Sequence, residues 1–194
     1  MASIPESPCP AQPTVESAPN STVPSPSSTS EVQFVPFEYH HQPAFKQLNE
    51  EWISHYFVME PTDYKALDDP QRYILDKGGQ IWVGLLDGEV VGVCALIKME
   101  ELGYYELSKL AVSPKAQGKR IGWLICQKII SAAKELGAST LYLESNTILA
   151  PAITLYYKLG FKKLESRASA YARCNIQMEL DLSPPEAQVP VCPP

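Results

Sequence analysis

No apolar run in this 194-residue chain is longer than the stretch from Val90 to Ile97. A membrane-spanning helix needs roughly 20 consecutive apolar residues, so no transmembrane segment is expected. Met1 to Pro10 hold no Lys or Arg and lead into no apolar stretch, which fits neither a secretory signal nor an Arg-rich transit peptide. The expected compartment is the cytosol, with the nucleus as the alternative. Cysteine is scarce and scattered: Cys9, Cys94, Cys126, Cys174 and Cys192 are odd in number and never spaced C-x-x-C. That pattern fits reduced thiols better than a disulfide framework or a zinc site, and no metal is expected. Positive charge is also in deficit, 16 Lys and Arg against 22 Asp and Glu for a net charge of -6, with no long basic cluster. Neither a nucleic acid nor a membrane surface is therefore an expected partner.

What is abundant is unevenly placed. Residues 1–30 hold seven prolines, eight serines and three threonines, with Glu6 and Glu16 their only charges and no aromatic residue. Five of the remaining prolines fall in residues 183–194. Such composition cannot bury enough surface to fold, so 1–30 and 183–194 read as disordered proline-rich tails around one domain, 31–182. A polyproline ligand for an SH3 or WW partner is conceivable in the tails. No P-x-x-P run there carries the flanking basic residue such ligands favour, so a solvated tether is the better reading.

Within 31–182, Val32 to Phe37 alternates as an edge strand, and His41 to Tyr56 reads as a helix with Phe45, Leu48, Trp52 and Ile53 on one stripe. A short helix follows Pro61. Gln80 to Leu86 and Glu89 to Met99 flank Asp87-Gly88, a strong hairpin signal. Tyr104 to Val112 reads as a strand. A helix from about Gly122 to Leu136 comes next, with Ile121, Leu124, Ile125, Ile129 and Ala132 toward the core. Thr140 to Glu144 is a strand, Ala150 to Leu159 a helix, and Phe161 to Ser166 and Tyr171 to Asp181 closing strands. The order βααβββαβαββ predicts an α/β (α+β) domain: a mixed, mostly antiparallel sheet with a central parallel βαβ pair and helices on both faces.

Between Val112 and the next helix lies Ser-Pro-Lys-Ala-Gln-Gly-Lys-Arg-Ile-Gly. Backbone N–H groups of a helix's first turn lack intrahelical partners, and the helix dipole adds positive potential, so Gln117 to Gly122 is a candidate diphosphate cradle. Gly118 permits close backbone approach, and Lys119 and Arg120 add full charge. The loop is neither a nucleoside-triphosphatase P-loop nor a dinucleotide G-x-G-x-x-G.

A second segment, Leu155-Tyr-Tyr-Lys-Leu-Gly-Phe161, sharpens the reading. With Gln117-Gly-Lys-Arg-Ile-Gly122 it resembles the GNAT superfamily of acyl-CoA N-acyltransferases, whose pyrophosphate loop runs Q/R-x-x-G-x-G/A and whose later helix ends L-Y-x-x-L-G-F. The element order and the Asp87-Gly88 hairpin are similar too. One departure is Arg120 where the family has its middle glycine, a substitution acceptable inside a helix's first turn.

The resemblance implies acetyl-CoA as co-substrate, lying between two splayed parallel strands. Its pantetheine would bond to the backbone of Leu110, Ala111 and Val112, and its pyrophosphate would sit on Gln117, Gly118, Lys119, Arg120, Ile121 and Gly122. Asn146 matches a position where the family often sets a polar side chain against the cofactor; an ordinary strand-end turn residue is the other reading. The implied activity is N-acetyl transfer to a primary amine by direct attack, with a small amine or amino acid favoured over a peptide amine. Tyr156 matches the family's tyrosine acid, and a phenol with a pKa near ~10 holds a proton to offer to the departing thiolate. Tyr157 is turned about 100° away on the same helix. Glu106 is the candidate base, with Glu144 the weaker alternative. His40, His41 and His55 are given no role. Asn49 to Asp68 is expected to cover the acceptor, where Trp52, Tyr56, Phe57, Glu60, Asp63 and Tyr64 would suit a cationic amine. The competing reading from another class is a non-catalytic acyl-CoA sensor or interaction module.

Overall fold

The computed structural model describes residues 31–101, 103–165 and 168–184. The expected tails, 1–30 and all of 183–194 but Ser183 and Pro184, lie outside the described residues. In chain order the elements are β1 (Gln33–Pro36), α1 (Gln42–Tyr56), α2 (Pro61–Asp68), a π-helical turn (Gln71–Leu75), β2 (Gln80–Leu86), β3 (Glu89–Lys98) and β4 (Tyr104–Val112). Then come α3 (Ile121–Glu135), β5 (Thr140–Ser145), α4 (Ala150–Lys158), β6 (Lys162–Lys163) and β7 (Ile176–Asp181). The seven strands form one sheet in the order β1-β2-β3-β4-β5-β7-β6. Every neighbouring pair is antiparallel except β4 and β5. This is the mixed sheet expected from the element order.

Local chemistry explains the elements that hold the site. Asp87 and Gly88 both take left-handed backbone, φ 54° and 83°, as a tight β2–β3 turn requires, and the register runs straight out of it as Leu86 opposite Glu89. The centre of β3 is buried on both faces. Val93 and Ala95 pack with Phe45 of α1 and Ala66 and Leu67 of α2, while Cys94 and Leu96 pack with Ile125, Cys126 and Ile129 of α3. Helices therefore cover both sides of the sheet. On α3 the buried stripe is Ile121, Ile125, Ile129 and Ala132, flanked by Cys126 and Ala133. Leu124, expected to face the core, is 39% exposed, because the stripe advances by four residues and leaves it on the outer shoulder.

Strand β4 departs from regular pairing with both of its neighbours. Opposite β3 the register steps from Val93–Ala111 to Ala95–Ser108, so Cys94 faces the two residues Lys109 and Leu110, a β-bulge with Lys109 at φ 53°. The bulge re-phases the strand. Upstream, Tyr105 and Leu107 face α3; downstream, Ala111 packs on the α1–α2 side. Opposite β5 the ladder covers only Tyr104–Glu106 against Thr140–Tyr142. Beyond Glu106 the two strands diverge, and a cleft opens between them.

The closing strands are shorter than the alternation suggested. β6 is two residues long and β7 begins at Ile176. Residues 168–175 run outside the sheet and are fastened by side chains, including Ser169 Oγ donating to Glu144 Oε2 at 2.6 Å and Arg173 to Glu60 and Asp63.

Candidate active site

The cleft between the diverging strands has a volume of about 300 Å³ and is lined by residues from α1, β4, the loop before α3, β5, α4 and the segment 171–174. Several predicted site residues meet here: Glu106, Leu110, Val112, Gln117, Gly122, Asn146 and Tyr156 all line it. Gly118, Lys119, Arg120 and Ile121 continue from Gln117 to the start of α3. Ala111 and Ile121 turn buried side chains away into the core, so only their backbones are available to a ligand.

The loop has the makings of an anion cradle. Among the described residues, the N–H groups of Gly118 through Trp123 find no backbone acceptor, and the first helical bond is Leu124 N–H to Arg120 O at 3.1 Å. Gly118 is left-handed at φ 81° with nothing within 4 Å of where a Cβ would stand, so the space over the loop is open. Arg120 is not inside the first turn as the sequence implied. It is the residue that caps α3, at φ 59° and ψ 19°. This is the left-handed conformation that glycine adopts freely and that costs an L-residue roughly 1–2 kcal/mol, so Arg120 holds a glycine's position at a backbone cost.

The same strand carries the candidate base. Glu106 is half-buried at the point where β4 and β5 part. Burial pushes its carboxyl up, the nearby Glu144 adds to this, and the Ser108 hydrogen bond and Lys109 charge offset only part, leaving it at about 7 rather than 4.5. Glu144, the alternative base, is held by three donors: Tyr142 OH at 2.8 Å, Gln177 Nε2 at 3.1 Å and Ser169 Oγ at 2.6 Å. Its oxygens are committed to the wall, and it serves as a fixed anion beside Glu106.

On the facing wall, α4 presents Tyr156, 6% exposed, with its ring edge-on to Phe161 at 5.8 Å. Burial raises its phenol well above the usual range, with the Cys126 and Cys94 thiols adding to the effect. Its hydroxyl makes no hydrogen bond among the described residues. Tyr157, one residue on, is 51% exposed. Asn146 is engaged in holding its own loop: Nδ2 donates to Arg173 O at 2.6 Å and Oδ1 accepts from Ile148 N–H at 3.0 Å. This geometry favours its reading as a turn residue.

The acceptor end differs from expectation. Trp52 and Phe57 line the cleft, but Tyr56 and Tyr64 are exposed outside it. Glu60 and Asp63 do not await a cationic amine, because both are already paired. Asp63, fully buried, receives Lys109 Nζ at 2.7 Å and a two-pronged contact from Arg173 at 2.7 and 2.7 Å. Burial alone would raise its carboxyl; the Arg173 bonds and the Lys109 charge reverse this and hold it below the ordinary value. Glu60 takes Arg173 Nη1 at 3.1 Å. Tyr171 sits against both cations, its hydroxyl 2.9 Å from Lys109 Nζ and its ring 4.5 Å from the Arg173 guanidinium. Lys109, Tyr171 and Arg173 were missed by sequence reasoning. Lys109 had one signal, a charge at an inward position of the alternating strand Tyr104–Val112. Tyr171 and Arg173 had none, lying in what read as strand.

Among the described residues no helix is long and apolar enough to cross a membrane, and no group of three or more His, Cys, Asp or Glu is placed to hold a metal ion. The chain is 33% identical over 98 residues to the probable N-acetyltransferase camello of Xenopus tropicalis, a match covering 50% of this chain and 45% of that relative. The alignment thus spans less than half of the relative's length. A GNAT-family acetyltransferase of Staphylococcus aureus MU50 superposes with a TM-score of 0.71 at 19% identity, over 79% of this chain and 100% of that one. The yncA protein of Salmonella typhimurium, solved with acetyl-CoA, superposes at 0.63 and 18% identity, over 80% and 96%. The acetyltransferase (GNAT) family itself matches residues 44–161, more than half of the chain, and the chain belongs to that family.

Proposed function

We propose that the domain transfers an acetyl group from acetyl-CoA to a primary amine, an amino acid or small amine, by direct attack in a ternary complex. The observation that carries this reading is a convergence. The cleft that opens where β4 leaves β5 has at one end loop amides and, on its two walls, one carboxyl poised at about 7 and one phenol, the amides and the phenol hydroxyl having no partner among the described residues. The residues present fit the cofactor. The amides of Gly118 to Gly122, with Lys119 and Arg120, would hold the diphosphate, and the unladdered edge of β4 at Leu110, Ala111 and Val112 would take the pantetheine amides.

Acetyl-CoA supplies the thioester carbonyl that the amine attacks. Glu106, poised at about 7, accepts the proton that the nitrogen must lose as its C–N bond forms. Collapse then breaks the C–S bond and puts charge on sulfur. Tyr156 keeps its proton at any working pH and so donates a hydrogen bond to that sulfur. Full transfer is uphill, since a thiol near ~8.5 is the stronger acid, and the phenol's main service is to stabilise the departing thiolate. The test is thiol release from acetyl-CoA by the purified protein against a panel of amines, amino acids and short peptides, with mass detection of products. An acetylated amine is expected. Tight acetyl-CoA binding with no turnover on any amine would refute transfer and leave a sensor.

A further inference from the structure

Arg173 carries more donors than its protein partners use. Nη1 gives one hydrogen to Glu60 and one to Asp63, and Nη2 gives one to Asp63. Among the described residues, Nε and the second hydrogen of Nη2 have no acceptor. The side chain lines the cleft and is 18% exposed, so these donors are not sealed in the core. Lys109 beside it uses two of its three hydrogens, on Asp63 and Tyr171.

Lys109 and Arg173 balance Asp63 and Glu60 in charge, but both cations converge on Asp63. One buried carboxylate needs one cation, and Lys109, 2.7 Å away, suffices. Arg173 is a second. Glu60 answers it on the outer side, but shares its oxygens with the backbone N–H groups of Ala172 and Arg173 at 3.0 and 3.4 Å. Glu144, the other anion on the cleft wall, is bound by Tyr142, Ser169 and Gln177. A guanidinium with a free N–H edge, backed by an ammonium and flanked by the rings of Phe57 and Tyr171, matches a planar carboxylate in both charge and shape. Glu106 lines the same cleft, so an acceptor held by its carboxylate at Arg173 can present an amine to that base.

We infer that Arg173, assisted by Lys109, is a specificity-determining residue that binds a carboxylate of the acceptor, which makes the acceptor an amino acid rather than a simple amine. The inference rests on the transferase reading above. It is tested with the full chain, acetyl-CoA, and a panel of L-amino acids, each paired with its own carboxamide. For the best amino acid, wild-type kcat/KM should exceed that of its amide by at least about tenfold, the range of one charge-assisted hydrogen bond. Arg173→Gln leaves Asp63 its Lys109 counter-ion; it should bring the acid-to-amide ratio near one, mainly through KM for the acid, and Arg173→Lys should restore part of it. A wild-type enzyme that takes amides as well as acids overturns the inference alone, even if no variant folds, as does an unchanged ratio in Arg173→Gln. Acetyl-CoA binding by calorimetry with no amine consumed overturns the transferase reading and this inference together.

Discussion

Replacing Glu106 with Gln should make the protein more stable and less active at once, and the size of the first effect can be worked from the site. Raising a carboxyl from its ordinary 4.5 to about 7 makes its ionised form about 3 kcal/mol less favourable in the fold than in the unfolded chain. Below about pH 4.5 the group is protonated in both states and costs nothing. Between there and 7 the unfolded chain releases its proton while the fold retains it, so the cost builds; above 7 it is complete. Glutamine keeps the shape and carries no charge. At pH 8, Glu106→Gln should therefore melt up to about 6–12 °C higher than wild type, at roughly 2–4 °C per kcal/mol for a domain of this size. At pH 4.5 the two should melt together. In the same protein, the plot of log kcat/KM against pH should lack the one-unit fall in slope near 7 that the wild type is expected to show. Thermal melts across pH 4.5–8.5, read by circular dichroism, decide the matter. A variant no more stable than wild type at pH 8, or equally stabilised at both ends of the range, refutes the claim that burial is what poises Glu106.

The opposite wall and the loop can be probed in the same way. Tyr156→Phe should slow thiol release by about 10²–10³ with acetyl-CoA affinity little changed, whereas Tyr157→Phe, altering an exposed ring, should leave both intact; equal effects from the two would refute the assignment of the donor. Gly118→Ala and Gly118→Glu carry the same left-handed backbone cost, but only the second sets a carboxylate over the loop. Calorimetry should show acetyl-CoA bound at least about tenfold more weakly by Glu than by Ala, and equal affinities would remove the diphosphate from this loop. Arg120→Gly should raise stability by about 1 kcal/mol in denaturant unfolding by relieving the left-handed cap, and a loss instead would show that the Arg120 side chain contributes more than its backbone costs.

Much of this architecture was legible because its signals are local. Asp87-Gly88 fixes a hairpin by the backbone it demands, and the strand Tyr104–Val112 is bounded by Gly103 before it and Ser113-Pro114 after it. The tyrosine facing the cleft could be chosen from two neighbours because helical rotation lets only one point inward. What escaped depends on tertiary context. The bulge at Lys109–Leu110 leaves the alternation of Tyr104–Val112 outwardly regular while exchanging the faces of its two halves. Arg120 takes glycine's conformation, which no propensity suggests. Residues 171–175 have strand-like composition, yet the ion pair of Arg173 with Asp63 of α2 and the hydrogen bond from Lys109 of β4 to the Tyr171 hydroxyl hold them off the sheet. The π-helical turn Gln71–Leu75 likewise carried no readable periodicity. The acceptor end was misjudged for one reason: carboxylates at 60 and 63 look available until the partners from distant parts of the chain are in place.

The bulge in β4 also governs how this chain tolerates change. Because one additional residue shifts the phase of everything after it, the strand works as two separately framed pieces, with the base on one and the cofactor edge on the other. Deleting either Lys109 or Leu110 would not merely shorten a strand. It would remove the bulge and leave Ala111 opposite Val93, still beside Phe45, with a single residue opposite Cys94 on the α3 side; after loss of Leu110 that residue is Lys109, its ammonium turned away from Asp63 toward the apolar layer of Ile125 and Ile129. The extra residue is what lets Lys109 reach Asp63. Related chains that keep the buried Asp63 pair should keep both the lysine and the extra residue beside it.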